Sequence, residues 1–182
     1  MRSTNLKITL QELDLVKRDK SIYNADYTFN PRGNNQNNRL RLLIGLFNRQ
    51  LGDADYDIAS RLFNDETELR RMISSKDDYE NYDVDVWYLS SYLLAKHRKS
   101  QDFVPFLTAK YIDFDSMIGF DEEHLFMVFD NSIEVEESNK FFSEYYEAKN
   151  YINNLNPNQL NSDLERWEKS KNRYFDSYRL MC

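Results

Sequence analysis

The stretch between residues 83 and 129 constrains the fold most, because its apolar residues recur at helical spacing. It indicates two consecutive helices, a turn rich in carboxylates and then a third helix. A similar helix pair is predicted between residues 39 and 63, where Leu40, Leu43 and Phe47 recur at steps of three and four. This recurrence, about forty to fifty residues apart, predicts an all-α chain of stacked antiparallel helical hairpins. An irregular helical bundle is the competing architecture.

The composition agrees with helices joined by short connections. The 182 residues include only 4 Gly and 3 Pro, too few turn residues for a many-stranded sandwich or barrel. At this length the whole chain, residues 1–182, is predicted to be a single domain. Residues 1–38 fit helical and strand spacing poorly, and we expect an irregular N-terminal arm that ends in a loop at residues 29–38.

Capping residues predict where several helices begin and end. The first helix of the early pair is expected to begin at Asn37 or Asn38 and to end at Gly52. Asp65 followed by Glu68 has the spacing of a capping box, which predicts a short separate helix.

Two longer helices are predicted toward the end of the chain. One covers residues 136–153, and the other begins where Asn156 precedes Pro157, a cap followed by proline at the first helical position. Trp167 and Tyr174 are expected on the apolar face of this last helix.

The sequence predicts a cytoplasmic protein. Its single cysteine, Cys182, cannot form an intramolecular disulfide, and charges interrupt every apolar run near the N-terminus. No segment approaches the roughly 20 apolar residues of a membrane span. Export by a route that needs no cleaved signal stays open.

Charge is distributed unevenly along the chain, whose net charge is −7. Residues 1–50 carry +5, whereas residues 77–137 carry −11. This anionic block argues against nucleic-acid binding, which needs Lys and Arg on the docking face. It would instead attract a partner with a basic surface, although a solubilising acidic face is the alternative.

A cluster of carboxylates between residues 113 and 123 is the leading candidate site; its members are Asp113, Asp115, Asp121, Glu122 and Glu123. A calcium loop is excluded, because Met117 and Ile118 stand where a ligand and the obligatory glycine belong. Acid–base catalysis by paired carboxylates remains possible. The structural alternative is that Asp113 or Asp115 holds the turn while Asp121 caps a helix, with the Phe114 and Phe120 rings pointing inward.

Other catalytic and cofactor motifs are missing from the sequence. His97 and His124 are the only histidines, and no zinc-binding pair, nucleophile elbow, phosphate loop or dinucleotide fingerprint is present. We therefore expect no metal, no cofactor and no catalytic residues. Trp87, Tyr88 and Tyr92 lie on one predicted helix and could serve as core residues or as anchors for a partner.

The segment from Trp87 to Phe126 resembles small bacterial proteins of HEAT-like character. The matching positions are Ala109-Lys110, Phe114-Asp115 and Gly119-Phe120-Asp121, and the whole segment is about a quarter of the chain. Some acidic all-helical proteins of this size are immunity proteins that inhibit toxins. The resemblance implies a helical fold and a protein partner, and it supplies no catalytic residues.

Three functions follow from these observations. The leading one is a non-enzymatic protein-binding module, in its most concrete form an immunity or antitoxin-like inhibitor of a basic toxin. Its expected contacts are Asp113, Asp115, Asp121 and Glu122, with Trp87, Tyr88 or Tyr92 as anchors. The alternatives are a metal-dependent hydrolase that uses the carboxylate cluster and a self-associating structural protein.

Overall fold

The fold is all-α, as the sequence predicts. A computed structural model describes residues 10–30, 35–76 and 82–179, and within these ranges it contains no β-strand. In chain order the α-helices are α1 (Leu10–Arg18), α2 (Lys20–Asp26), α3 (Gln36–Phe47), α4 (Tyr56–Lys76), α5 (Val84–Ala95), α6 (Phe103–Lys110), α7 (Phe114–Gly119), α8 (Glu123–Val128), α9 (Phe142–Asn154) and α10 (Pro157–Arg179). Short 3-10 turns at Asp53–Asp55 and Ser100–Asp102 precede α4 and α6. No helix in the described ranges is long and apolar enough to cross a membrane.

The chain divides into two compact units. The first unit comprises residues 1–97 and 174–182, and the second unit comprises residues 98–173. The prediction of a single domain stays a prediction, as does the stacking of helical hairpins.

In the first unit, α5 packs against both α3 and α4. The α5 helix is apolar on nearly all sides, and a helix of this kind is usually buried between other helices. Trp87, Tyr92 and Leu93 are at most 1% exposed. Tyr92 stacks on Phe175 with ring centroids 5.9 Å apart. The expected apolar residue Tyr174 is instead 53% exposed, and Phe175 next to it lies in the core.

A buried ion pair joins α3 to α4 within this unit. The Nε atom of Arg39 lies 2.5 Å from Oε1 of Glu66, and both side chains are fully buried. Gln36 donates to the other carboxylate oxygen of Glu66 at 2.8 Å, and Arg39 also donates to the carbonyl oxygen of Tyr27 at 3.0 Å. Several hydrogen bonds thus compensate for removing these charges from water.

Three predicted boundaries in the first unit are wrong. α3 begins at Gln36 with Asn35 in the cap position, so neither Asn37 nor Asn38 caps it. α3 ends at Phe47 and not at Gly52, whose N–H donates to the Asp55 carboxylate in the turn before α4. The separate helix at Asp65 does not form, because α4 continues without a break. Asp65 accepts a hydrogen bond from the Tyr23 hydroxyl at 2.8 Å and does not cap a helix.

The N-terminal region is helical over its described part. Residues 10–26, which the sequence assigned to an irregular arm, form α1 and α2. Leu13, Val16, Tyr23 and Tyr27 are at most 5% exposed. Residues 1–9 and 31–34 lie outside the described ranges, so the beginning of the predicted arm and part of the predicted loop at residues 29–38 do too.

The second unit is built from short helices around an aromatic core. Phe103, Phe106, Phe120 and Tyr145 are at most 1% exposed. α9 begins at Phe142 and not at residue 136, since the Asn139 side chain accepts a hydrogen bond from the Phe141 N–H in the preceding turn. The predicted cap of α10 is confirmed, because Asn156 accepts from the Asn158 N–H at 2.9 Å.

Candidate functional site

The predicted carboxylate cluster is spread along α7 and α8, and its members differ in role. Asp113 caps α7, because its Oδ1 accepts the Ser116 N–H at 2.7 Å. The structural alternative for Asp113 is therefore confirmed. Asp115, in the first turn of α7, is exposed. A carboxylate here interacts favourably with the positive end of the helix and remains accessible to a partner.

Asp121 does not cap α8, which corrects that prediction. It accepts a hydrogen bond from Trp167 Nε1 at 2.9 Å, and Lys171 Nζ lies 2.5 Å away. Burial alone would raise the pKa of Asp121, but the hydrogen bonds from Lys171 and Trp167 hold the pKa below its ordinary value. Asp121 thus joins the start of α8 to α10 within the second unit.

Glu122 precedes α8 and is the most accessible acid of this turn, with 60% of its side chain exposed. Its Oε1 lies 3.8 Å from Lys110 Nζ. The same ammonium donates to the carbonyl oxygens of Met117 at 3.2 Å and Phe120 at 3.0 Å. Lys110 therefore holds the C-terminal end of α7 beside Glu122.

The α7 helix exposes large apolar side chains. Phe114 is 69%, Ile118 68% and Met117 40% exposed. Phe120 points inward as predicted, but the Phe114 ring does not, because α7 has only six residues and buries only Ser116. Sequence reasoning missed this surface, since the spacing of residues 114, 117 and 118 is the same as that of a buried helix face. We call Phe114, Met117 and Ile118 the α7 patch.

Two neighbouring depressions in the second unit form a surface that we call the acidic groove. One is a cavity of about 210 Å³ along α6, α8 and α9, and the other is a wider depression of about 600 Å³ along α8, α9 and α10. Glu122, Phe126 and Tyr151 line both. The rings of Phe126 and Tyr151 are stacked with centroids 5.6 Å apart. Neither Phe126 nor Tyr151 was predicted as a site residue.

His124 is part of the packing and does not line either depression. It is fully enclosed, with its ring against Phe120 and Trp167 at centroid distances of 4.5 and 4.9 Å. Its Nδ1 lies 2.9 Å from the carbonyl oxygen of Asp121, which can only accept, so Nδ1 carries the proton. Burial lowers the pKa of His124 to about 4, and the ring is neutral at pH 7.

The three aromatic residues predicted as anchors belong to the first unit. Trp87 and Tyr92 are fully buried, and Trp87 Nε1 donates to Thr67 Oγ1 at 3.1 Å. Tyr88 is half-buried. The structure thus places Trp87 and Tyr92 in the core, where a partner does not reach them in this conformation.

The described ranges contain no arrangement of acidic side chains that suits a metal ion. Across residues 10–30, 35–76 and 82–179, no group of three or more His, Cys, Asp and Glu side chains is placed to hold a metal ion. Two acids that the hydrolase alternative requires are already engaged, Asp113 by the backbone of α7 and Asp121 by Lys171.

Comparisons with known proteins identify no relative of the chain. No protein-family model, no curated protein and no solved structure matches the chain. The resemblance to HEAT-like proteins therefore stays a prediction, and the argument for function depends on the site itself.

Proposed function

We propose that the protein is a non-enzymatic protein-binding module whose second unit docks onto a partner with a basic surface. The contact surface comprises the α7 patch, the exposed acids Asp115 and Glu122, and the acidic groove. In its most concrete form the protein is a bacterial immunity or antitoxin-like inhibitor that acts on a basic toxin in the cytoplasm.

The exposure of the α7 patch carries this proposal. The chain buries Phe103, Phe106 and Phe120 almost completely, yet it leaves more than two thirds of Phe114 in water. Exposed apolar side chains grouped on one element are typical of interaction surfaces. Aromatic residues of this kind supply much of the binding energy once a partner covers them.

Charge supports a basic partner. The second unit has 15 Asp and Glu against nine Lys and Arg, a net charge of −6, whereas the first unit has a net charge of −1. An acidic docking surface accelerates encounter with a basic protein and disfavours acidic ones. The same charge opposes pairing of this surface with a second copy of itself.

The test measures binding to the products of the reading frames that neighbour the gene. Calorimetry at low salt compares the wild type with two double variants, Phe114→Ser with Ile118→Ser and Asp115→Lys with Glu122→Lys. We expect each pair to weaken binding at least tenfold. The toxic partner should also regain its activity when either double variant replaces the wild type.

A matched control separates the contact surface from net charge. Glu137→Lys with Glu165→Lys makes the same change in charge at exposed positions of the second unit that line neither depression. This control should bind nearly as well as the wild type. Equal affinities for all variants would contradict the proposal, and a stable homo-oligomer lost with the α7 patch would favour self-association instead.

A further inference from the structure

We propose that the 210 Å³ cavity of the acidic groove receives a single Lys or Arg side chain of the partner. This inference rests on the proposed function and specifies the chemical group that the groove recognises. The cavity is far larger than the roughly 15 Å³ that one water molecule needs, so a side chain can enter it.

The walls of the cavity suit the stem of a long cationic side chain. Leu107 and Leu125 supply an aliphatic surface, and Tyr111, Phe126 and Tyr151 supply aromatic rings. Lys and Arg bury their methylene stems against apolar surface while the charged end keeps polar partners. A cation near an aromatic face gains further attraction from the ring quadrupole.

The carboxylates of the cavity outnumber its cations. Glu122, Glu144 and Glu147 line it together with one basic residue, Lys110. Lys110 donates to the two carbonyl oxygens at the end of α7 and also lies 3.8 Å from Glu122, so it does not compensate Glu144 and Glu147 equally. Glu144 and Glu147 stand three residues apart on α9, where like charges repel each other. A cation bound between them would relieve that repulsion.

Glu144 is half-buried at the cavity wall, and one of its two carboxylate oxygens lacks a donor within the described residues. Its Oε2 atom is shielded from solvent, and it has no hydrogen-bond partner within the described residues. A buried acceptor of this kind normally has a donor. The ammonium of Lys or the guanidinium of Arg would supply one once the Glu144 side chain rotates toward the cavity, and either bond would be charge-assisted.

The electrostatic environment of Tyr111 agrees with this geometry. Burial raises the pKa of the Tyr111 hydroxyl, and the negative charges of Glu144, Glu147 and Glu122 raise it further. Three carboxylates thus act on one point of the cavity wall. Lys149, the neighbouring cation on α9, is directed elsewhere and donates to the Tyr145 hydroxyl at 3.2 Å.

The experiment titrates the full chain with three blocked tripeptides that differ only in the central residue, which is lysine, arginine or uncharged norleucine. Amide chemical shifts report where each peptide binds. We expect saturable binding of the lysine or arginine peptide with shifts centred on Tyr111, Ala148 and Tyr151. The norleucine peptide should bind at least tenfold more weakly.

Two kinds of variant test the assignment. Glu144→Gln with Glu147→Gln keeps the shape and should weaken binding of the cationic peptide about tenfold, whereas Glu134→Gln with Glu137→Gln should not. Ala148→Met keeps every charge, fills the cavity and should abolish binding. Equal binding of norleucine, shifts outside the cavity, or an equal loss in the control pair would overturn the proposal, as would the absence of saturable binding.

This experiment separates failure of the cavity from failure of the proposed function. Phe114→Ser with Ile118→Ser should leave peptide binding unchanged while it weakens binding of the protein partner. If the partner requires the α7 patch but no cationic peptide binds, the cavity assignment falls and the binding module stands. If cationic peptides bind but variants of the α7 patch leave partner binding unchanged, the cavity assignment stands and the proposed contact surface falls.

Discussion

The two units differ in two features, a fully buried ion pair in the first and an exposed apolar patch in the second. The first unit encloses a charged pair, Arg39 and Glu66, neither of which is exposed. The second unit leaves Phe114 and Ile118 about two thirds exposed and lines a groove with carboxylates. A buried charge is tolerated only when its partners are held in place, so the Arg39–Glu66 pair constrains how α3 packs on α4. An exposed ring adds little to stability, so the exposure of Phe114 and Ile118 is best explained by contact with another molecule.

Removing one member of the buried pair should have the largest effect. Arg39→Met leaves the Glu66 carboxylate buried without its cation, and we expect the free energy of unfolding to fall by about 3–5 kcal/mol. Urea denaturation measures the change. A double variant, Arg39→Met with Glu66→Leu, removes both charges and should recover most of the loss. If Arg39→Met lowers the free energy of unfolding by less than about 1 kcal/mol, the buried pair behaves like a surface ion pair and the proposed difference between the units is wrong.

The pH dependence of stability should report the enclosed His124. Its pKa is about 4 in the folded chain against an ordinary 6.5, so below pH 6.5 the unfolded chain binds a proton that the folded chain refuses. Stability is therefore lost as pH falls from 6.5 toward 4, by about 3 kcal/mol from this residue. Denaturation of the wild type and of His124→Leu at pH 7, 5.5 and 4 isolates the contribution. Parallel curves for the two proteins would show that His124 is not enclosed.

Breaking the half-buried ion pair of the second unit should have a smaller effect than breaking Arg39–Glu66. Lys171 and Asp121 retain 21% and 29% of their side-chain exposure, so water partly solvates the remaining charge. Lys171→Met should lower the free energy of unfolding by about 1 kcal/mol. A loss as large as that of Arg39→Met would mean that the two units do not differ in this respect.

The α7 patch should contribute least to stability. Phe114→Ser with Ile118→Ser removes side chains that are mostly in water, and the free energy of unfolding should change by no more than about 0.5 kcal/mol. Phe120, which is buried and follows directly after α7, provides the matched comparison. Phe120→Ser should lower the free energy of unfolding by about 3 kcal/mol or more. Similar losses for the two would show that the α7 patch is packed in solution.

Helical periodicity predicted the fold class well but the site poorly. The apolar run on α5 and the Asn156 cap of α10 are local signals, and both are confirmed. At the point where a separate helix was predicted, the α4 helix contacts a residue far away in the chain. Asp65 accepts its hydrogen bond from Tyr23, 42 residues earlier in the chain.

The candidate site shows the same limit more sharply. Asp113 caps a helix because of its immediate neighbours, whereas Asp121 is set by Trp167, 46 residues away. Phe114 and Phe120 precede aspartates in identical dipeptides, yet one ring is exposed and the other is buried. The two rings differ in how neighbouring helices pack around them, and the local sequence pattern does not predict that packing.

Hydrogen–deuterium exchange on the complex with a neighbouring gene product tests the central claim most directly. We predict new protection of backbone amides over residues 111–128 and 144–151 when the partner binds, with α3, α4 and α5 unchanged. Protection confined to the first unit, with α7 exchanging as fast as in the free protein, would contradict the account.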